Sequence, residues 1–173
     1  RQVILVLDVQ TVEGPSWEMA WDDDAFESLC VAAASLARSL LDSGAAVGMA
    51  AAGFSGTSQR LAFLPPRSGL AQLGRVTDLL ARLGPISSGT LPGLLTWLTH
   101  RVPSVASLVV LTARAPHAVQ PTLRRLQASG YGVEILVLGT ERLGGAARTR
   151  GVRTRTMTIE PGWETADVVA LSA

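Results

Sequence analysis

The run QVILVL, Gln2–Leu7, constrains this chain more than any other feature. An apolar stretch without polar alternation describes a strand that buries both of its faces. Such a strand is hidden only by helices packed on each side of its sheet, so an α/β layering follows from this segment alone. The run ends in Asp8, a charge at the carboxyl end of a central strand, where doubly wound sheets gather their functional groups. Gln10 and Val12 follow it, rather than acids or hydroxyls.

The rest of the chain supplies the layers. Residues 22–43 read as a long helix, with Asp24 and Glu27 at capping-box spacing. Phe26, Leu29, Cys30, Ala33, Leu36, Ala37, Leu40 and Leu41 recur at helical intervals, and Gly44 ends the helix. Residues 46–54 form a second strand. The hairpin-like turn FSGTSQ, with Ser55 as a turn residue, leads to a short third strand over 60–64, stopped by Pro65 and Pro66. That strand is expected to be an antiparallel edge. Helices follow over 70–83 and 90–102, the first closed by Gly84, the second with Thr90 at its cap and Pro92 in its first turn. SLVVLT (107–112) and VEILVL (133–138) are buried strands flanking a helix over 121–129 closed by Gly130. A short, Gly-interrupted helix over 141–150 and an edge strand over 152–159 complete the reading. The expected fold is a six-stranded, mainly parallel sheet in the order 3-2-1-4-5-6, with strand 3 antiparallel and helices on both faces.

Composition removes several classes of function. The 173 residues suit a single domain, and the net charge of +1 gives no global pull toward nucleic acid or anionic lipid. All 15 basic residues are Arg, which excludes Schiff-base chemistry and the P-loop lysine. The single cysteine, Cys30, excludes an internal disulfide and a Cys-rich zinc site, and reads as a buried structural thiol. His100 and His117 lie too far apart in sequence to suggest a His-based metal site. No apolar run is long enough to span a bilayer. The chain enters a strand almost at once and does not begin with Met, so it is expected to be one domain, residues 1–173, from the C-terminal part of a longer protein.

Enzyme and nucleotide-binding patterns are matched only in part. DVQTV and LVVLT match part of a haloacid-dehalogenase-like phosphotransferase with Asp8 as nucleophile, but the general acid–base position is Gln10, and a carboxamide does not shuttle protons near neutral pH. The acidic loop after Asp8 is unlike the Gly-rich turn of a nucleotide-binding fold. GFSGTS, residues 53–58, lacks the final glycine of a nucleophile elbow.

The strand ending in Asp8, FESLCVAAASLARSLLDSGAAVGM, LAFLPPRSGLAQLGRVTDLLARL and LVVLTA together resemble a von Willebrand factor A-like domain. More closely, they resemble the version found in the bacterial MoxR-associated family of unknown function. The resemblance covers most of residues 2–140. It implies a non-enzymatic protein-binding domain of a membrane-associated protein, facing the cytoplasm at the bacterial inner membrane. It also implies a MoxR-type AAA ATPase as candidate partner and membrane contact only through segments outside this chain.

The wider A-domain family holds a divalent ion on Asp-x-Ser-x-Ser, a Thr and a further Asp. Carried over by position, Asp8 and Thr90 match, while Gln10, Val12 and Ala113 stand where the two serines and the third-loop Asp would be. The resemblance thus implies a degenerate adhesion site with remnant positions Asp8, Gln10 and Thr90. No metal or other cofactor is expected, beyond weak magnesium binding at most. The acidic, aromatic loop carrying Glu13, Trp17, Glu18, Trp21, Asp22, Asp23 and Asp24 is the candidate partner surface. Arg142, Arg148, Arg150, Arg153 and Arg155 read as a charged edge rather than a nucleic-acid site, because no aromatic stacking or nucleic-acid module accompanies them.

Overall fold

The computed structural model describes residues 1–12, 14, 21–55, 61–114, 119–139 and 152–157. Its first half runs β1 (Gln2–Leu7), α1 (Asp23–Asp42), β2 (Ala46–Ala51), β3 (Gly53–Ser55), β4 (Ala62–Arg67) and α2 (Leu70–Arg82). The second half runs β5 (Leu83–Ser87), α3 (Leu91–Leu98), β6 (Ser107–Thr112), α4 (Gln120–Ala128), β7 (Gly132–Leu138) and β8 (Arg153–Met157). Six strands form one sheet in the order β4-β2-β1-β6-β7-β8, and only β4 runs antiparallel. This is the order and orientation that the sequence predicts.

The central position of β1 follows from its side chains, and Val3 through Leu7 are fully buried. Val3, Leu5 and Leu7 point to one face, where they meet Phe26, Leu29 and Ala33 of α1 and Val76 and Leu80 of α2. Ile4 and Val6 point to the other, against Leu94, Leu95 and Leu98 of α3 and Leu123 and Leu126 of α4. Alternate residues of one strand thus serve two cores, each completed by a helix pair. Small residues at Ala32, Ala33 and Ala37 allow α1 to lie close against the sheet.

The edge differs from expectation in an instructive way. β4 does not stop at Pro65 but continues through both prolines to Arg67. Proline donates no amide hydrogen bond, and the β2–β4 register shifts between Val47 and Met49. Gln72 of α2, 2% exposed, reaches into this irregularity. Its Nε2 donates to the Val47 carbonyl at 2.7 Å and the Pro65 carbonyl at 3.0 Å. A helix side chain therefore supplies donors that the strand lacks. Gly48 lies beside it, and a Cβ there would stand 2.7 Å from the Leu64 carbonyl oxygen and 2.9 Å from the Pro66 nitrogen. Only glycine fits that crossing.

Other boundaries also move. The second strand ends at Ala51 rather than residue 54, and Gly53–Ser55 pairs with β5 in a separate two-stranded sheet. A Cβ on Gly53 would lie 3.1 Å from both Val9 and Leu83, so the start of β3 packs tightly under the loop after β1. Ser55 is therefore a strand residue opposite Leu83, not a turn residue. The α2 helix ends at Arg82 because Leu83 already belongs to β5, an element absent from the sequence reading. The cap of α1 is Asp22, whose Oδ1 accepts from the Ala25 amide at 3.0 Å, not the Asp24–Glu27 box. Thr90 caps α3 as expected, accepting from the Gly93 amide at 3.2 Å. The helix expected over 141–150 lies outside the described residues.

Candidate functional site

The carboxyl end of β1 places Asp8 against the carboxyl end of β6. The Asp8 amide donates to the Leu111 carbonyl at 2.9 Å, extending the parallel ladder by one residue and fixing the carboxylate between the two strands. The residue is 5% exposed. Beside it stands Thr112, the last residue of β6 and 1% exposed. The Thr112 hydroxyl donates to Asp8 Oδ2 at 2.9 Å and accepts from the Arg114 amide at 3.3 Å. That local turn brings the Arg114 side chain back over the strand end. Its Nε donates to Oδ2 at 2.9 Å and its Nη2 to Oδ1 at 3.3 Å. Both oxygens of the carboxylate are thereby held by one guanidinium fork.

Burial pushes the Asp8 carboxyl above the ordinary carboxylate range, against the lowering effects of the Arg114 charge and the Arg114, Thr112 and Gln10 amide hydrogen bonds. The Arg114 side chain is 17% exposed. It reaches from the rim and closes the position from solvent.

This donor set does not fit a divalent ion. Magnesium takes oxygen ligands in near-octahedral geometry, and Val12 and Ala113 provide no side-chain oxygen. Gln10 turns its carboxamide to the loop backbone, its Nε2 donating to the Val12 carbonyl at 3.3 Å and the Gly14 carbonyl at 2.6 Å. Thr90 bonds within its own helix. Among the described residues no cluster of three or more metal-capable His, Cys, Asp or Glu side chains occurs. The same geometry opposes phosphotransfer, because a nucleophilic aspartate needs an oxygen free to attack.

Around this closed centre, Val12 is 36% and Trp21 42% exposed. The loop is tied to α1 by Thr11, 7% exposed, whose hydroxyl accepts from the Asp22 amide at 2.8 Å. Asp22, Asp23 and Asp24 are exposed at the start of α1. Of the predicted contact residues, Trp21, Asp22 and Asp23 therefore lie beside the strand end, while Trp17 and Glu18, with Glu13, lie outside the described residues. Arg153 and Arg155 are exposed on β8, and Arg155 Nε pairs with Glu134 Oε1 at 2.7 Å. Arg142, Arg148 and Arg150 lie outside the described residues.

Away from this centre a concavity of about 330 Å3 opens between α3 and α4, lined by Thr96, Thr99, Thr122, Arg125 and Tyr131. It sits near the amino ends of β6 and β7, opposite the end where such sheets bind ligands. The Tyr131 hydroxyl donates to the Val102 carbonyl at 2.8 Å, so its polar tip is already committed.

The sequence points to Asp8 but not to the Arg114 fork or to the part played by Thr112. The usable signal was the Thr-x-Arg spacing at the end of β6, because a threonine that turns the chain returns the residue two positions on.

No family model matches the sequence, and no curated protein does. Solved structures do match. One is the conserved hypothetical protein BatB from Bacteroides thetaiotaomicron, 16% identical, with a TM-score of 0.58 over 95% of this chain and 92% of that one. A second is the SpRpn10 VWA domain, 11% identical, with a TM-score of 0.55 over 98% of each chain. The chain has a von Willebrand factor A-like fold. The pilus adhesin SpaC from Lactobacillus rhamnosus GG matches in the same way, at 11% identity and a TM-score of 0.55, over 79% of this chain and 24% of the adhesin. At these identities the likeness is one of fold. The A-like sheet here carries an arginine-closed aspartate at the end of its central strand.

Proposed function

We propose that this A-like domain is a non-enzymatic protein-interaction module whose contact surface is the loop between β1 and α1. The observation that carries the reading is the closure of Asp8 by Arg114, with Trp21 exposed on the same edge. A carboxylate with both oxygens engaged neither attacks a substrate nor leaves room for an ion, so recognition falls to the side chains around it. Exposed tryptophan beside clustered acids suits that task, because buried tryptophans anchor interfaces and rim acids guide encounter.

The resemblance to the MoxR-associated family makes the reading more specific. The partner is then a MoxR-type AAA ATPase, and the full-length protein is held at the cytoplasmic face of a bacterial inner membrane by segments outside this chain. Among the described residues, no helix is long and apolar enough to cross a membrane.

The test is a direct binding titration of the domain with a purified MoxR-type ATPase, run beside a phosphatase substrate panel. Saturable binding that Trp21→Ala weakens, with no turnover, supports the reading. Turnover that Asp8→Asn abolishes would establish the alternative, a haloacid-dehalogenase-like hydrolase. Binding insensitive to Trp21 would move the surface elsewhere.

A further inference from the structure

We propose that Arg114 is the resident cation of this domain: its guanidinium takes the place against Asp8 and Thr112 that a bound metal ion would fill, fastening the loop after β6 to β1 without any ion. Three observations converge on it. The carboxylate is buried, so it requires a counter-charge. The two nitrogens contacting it match its two oxygens, at 2.9 and 3.3 Å, a planar fork rather than a point charge. The Thr112 hydroxyl spends its one proton on Asp8 and offers a lone pair to the Arg114 amide, so the arginine is aimed by the strand end that it closes.

The donors that remain do not suit a metal, but they do suit a guanidinium. One carboxylate accepts two parallel N–H groups, and no further oxygens are required. The tether also makes the counter-charge intramolecular, so occupancy does not depend on ion concentration. An A-like domain closed in this way holds its upper edge in one arrangement in the presence of chelators as well as in magnesium. It follows that removing the side chain opens a slot selective for free guanidinium over divalent ions.

The test uses thermal unfolding of the whole chain, with and without ligand. Arg114→Ala lowers the midpoint by several degrees, and millimolar methylguanidinium raises it again in a saturable way. Magnesium at matched ionic strength does not, and the double variant Asp8→Asn/Arg114→Ala shows no recovery. An unchanged midpoint in Arg114→Ala, a loss with no saturable recovery, or equal recovery by magnesium would overturn the proposal. So would saturable stabilisation of the wild type by magnesium that Asp8→Asn removes. If Arg114→Ala does not fold, Arg114→Lys decides. It retains charge but gives up the fork, so its midpoint falls below wild type, and a midpoint equal to wild type would refute the fork.

Discussion

Arg114 holds both oxygens of Asp8, residues 106 positions apart in sequence, across the carboxyl ends of two adjacent parallel strands. The pair is buried on the acid's side and reaches the rim on the base's side. Breaking such a pair by removing one partner leaves a charge without compensation, a cost of about 3–5 kcal/mol for fully buried pairs. Arg114→Gln is therefore expected to lose about 3 kcal/mol near neutral pH, the lower end of that range, because the guanidinium is partly hydrated. Chemical denaturation reads this directly. A loss under about 1 kcal/mol would place the pair among ordinary surface bridges.

The pH dependence of the pair has a definite sign. Burial raises the folded pKa of Asp8 above its ordinary value, so the folded state takes up this proton more readily than the unfolded chain. The group's contribution to stability is then fully present below the ordinary carboxylate value and is lost as pH rises through the raised folded value. Wild type minus Asp8→Asn isolates it, since the other carboxylates are common to both. That difference in unfolding free energy should shrink as pH rises above the ordinary carboxylate range. A difference that instead grows would mean that Arg114 outweighs burial.

At the sheet edge, Gln72 supplies two donors to carbonyls left without partners by the proline-bearing strand. Gln72→Leu keeps the volume but leaves those acceptors buried and unpaired, which costs about 1–3 kcal/mol. The loss appears as a lower denaturant midpoint with an unchanged slope, because the sheet keeps its form. A neutral result would mean that the carbonyls find other donors.

Cys30 packs against the core on the α1 side, and its thiol is pushed up to about 12 by burial and by the nearby Glu27 charge. The thiolate is the reactive form, so at about pH 8 a disulfide reagent should label this half-buried residue far more slowly than the thiol of the unfolded chain. Rapid labelling of the folded chain would place the thiol at the surface.

The sequence made the sheet order legible because β1 and β6 are apolar runs and, within the six-stranded sheet, β4 alone carries prolines. Buried runs must be central, and a proline-bearing strand must be an edge. It was less informative wherever a partner comes from far along the chain. Gln72 lets β4 outlast its prolines, but nothing near Pro65 announces a donor on the next helix. The two-stranded β3–β5 sheet escapes notice because Gly53–Ser55 has too few side chains to show a period. Asp8 was visible at its strand end, whereas its closure by Arg114 depends on the β1–β6 register and on the turn at Thr112. The ring cluster of Phe63 and Trp97, 5.5 Å apart with Arg101 4.1 Å above the indole, likewise joins residues that no local pattern links.

The start of α1 separates two roles that the sequence merges. Three consecutive aspartates open the helix, Asp22 at its cap and Asp23 and Asp24 in its first turn, and as a group they read as an acidic rim around Trp21. In the folded chain Asp22 has a different task, since its side chain accepts from the Ala25 amide and its own amide donates to Thr11. Replacing it with Ala removes the cap and should cost about 1 kcal/mol, whereas Asn retains an acceptor and should cost little. Asp23→Asn and Trp21→Ala touch no cap, and Trp21 is 42% exposed, so both should leave the thermal midpoint nearly unchanged. If the loop is the contact surface, Trp21→Ala weakens partner binding by tenfold or more, on the order of 2 kcal/mol for an aromatic anchor. Asp23→Asn then mainly reduces the salt dependence of association. Asp22→Asn tests charge without disturbing the helix, and comparison with Asp22→Ala divides recognition from folding at a single residue. A Trp21→Ala variant with a sharply lower midpoint would make this tryptophan part of the fold and leave the contact surface to be found elsewhere.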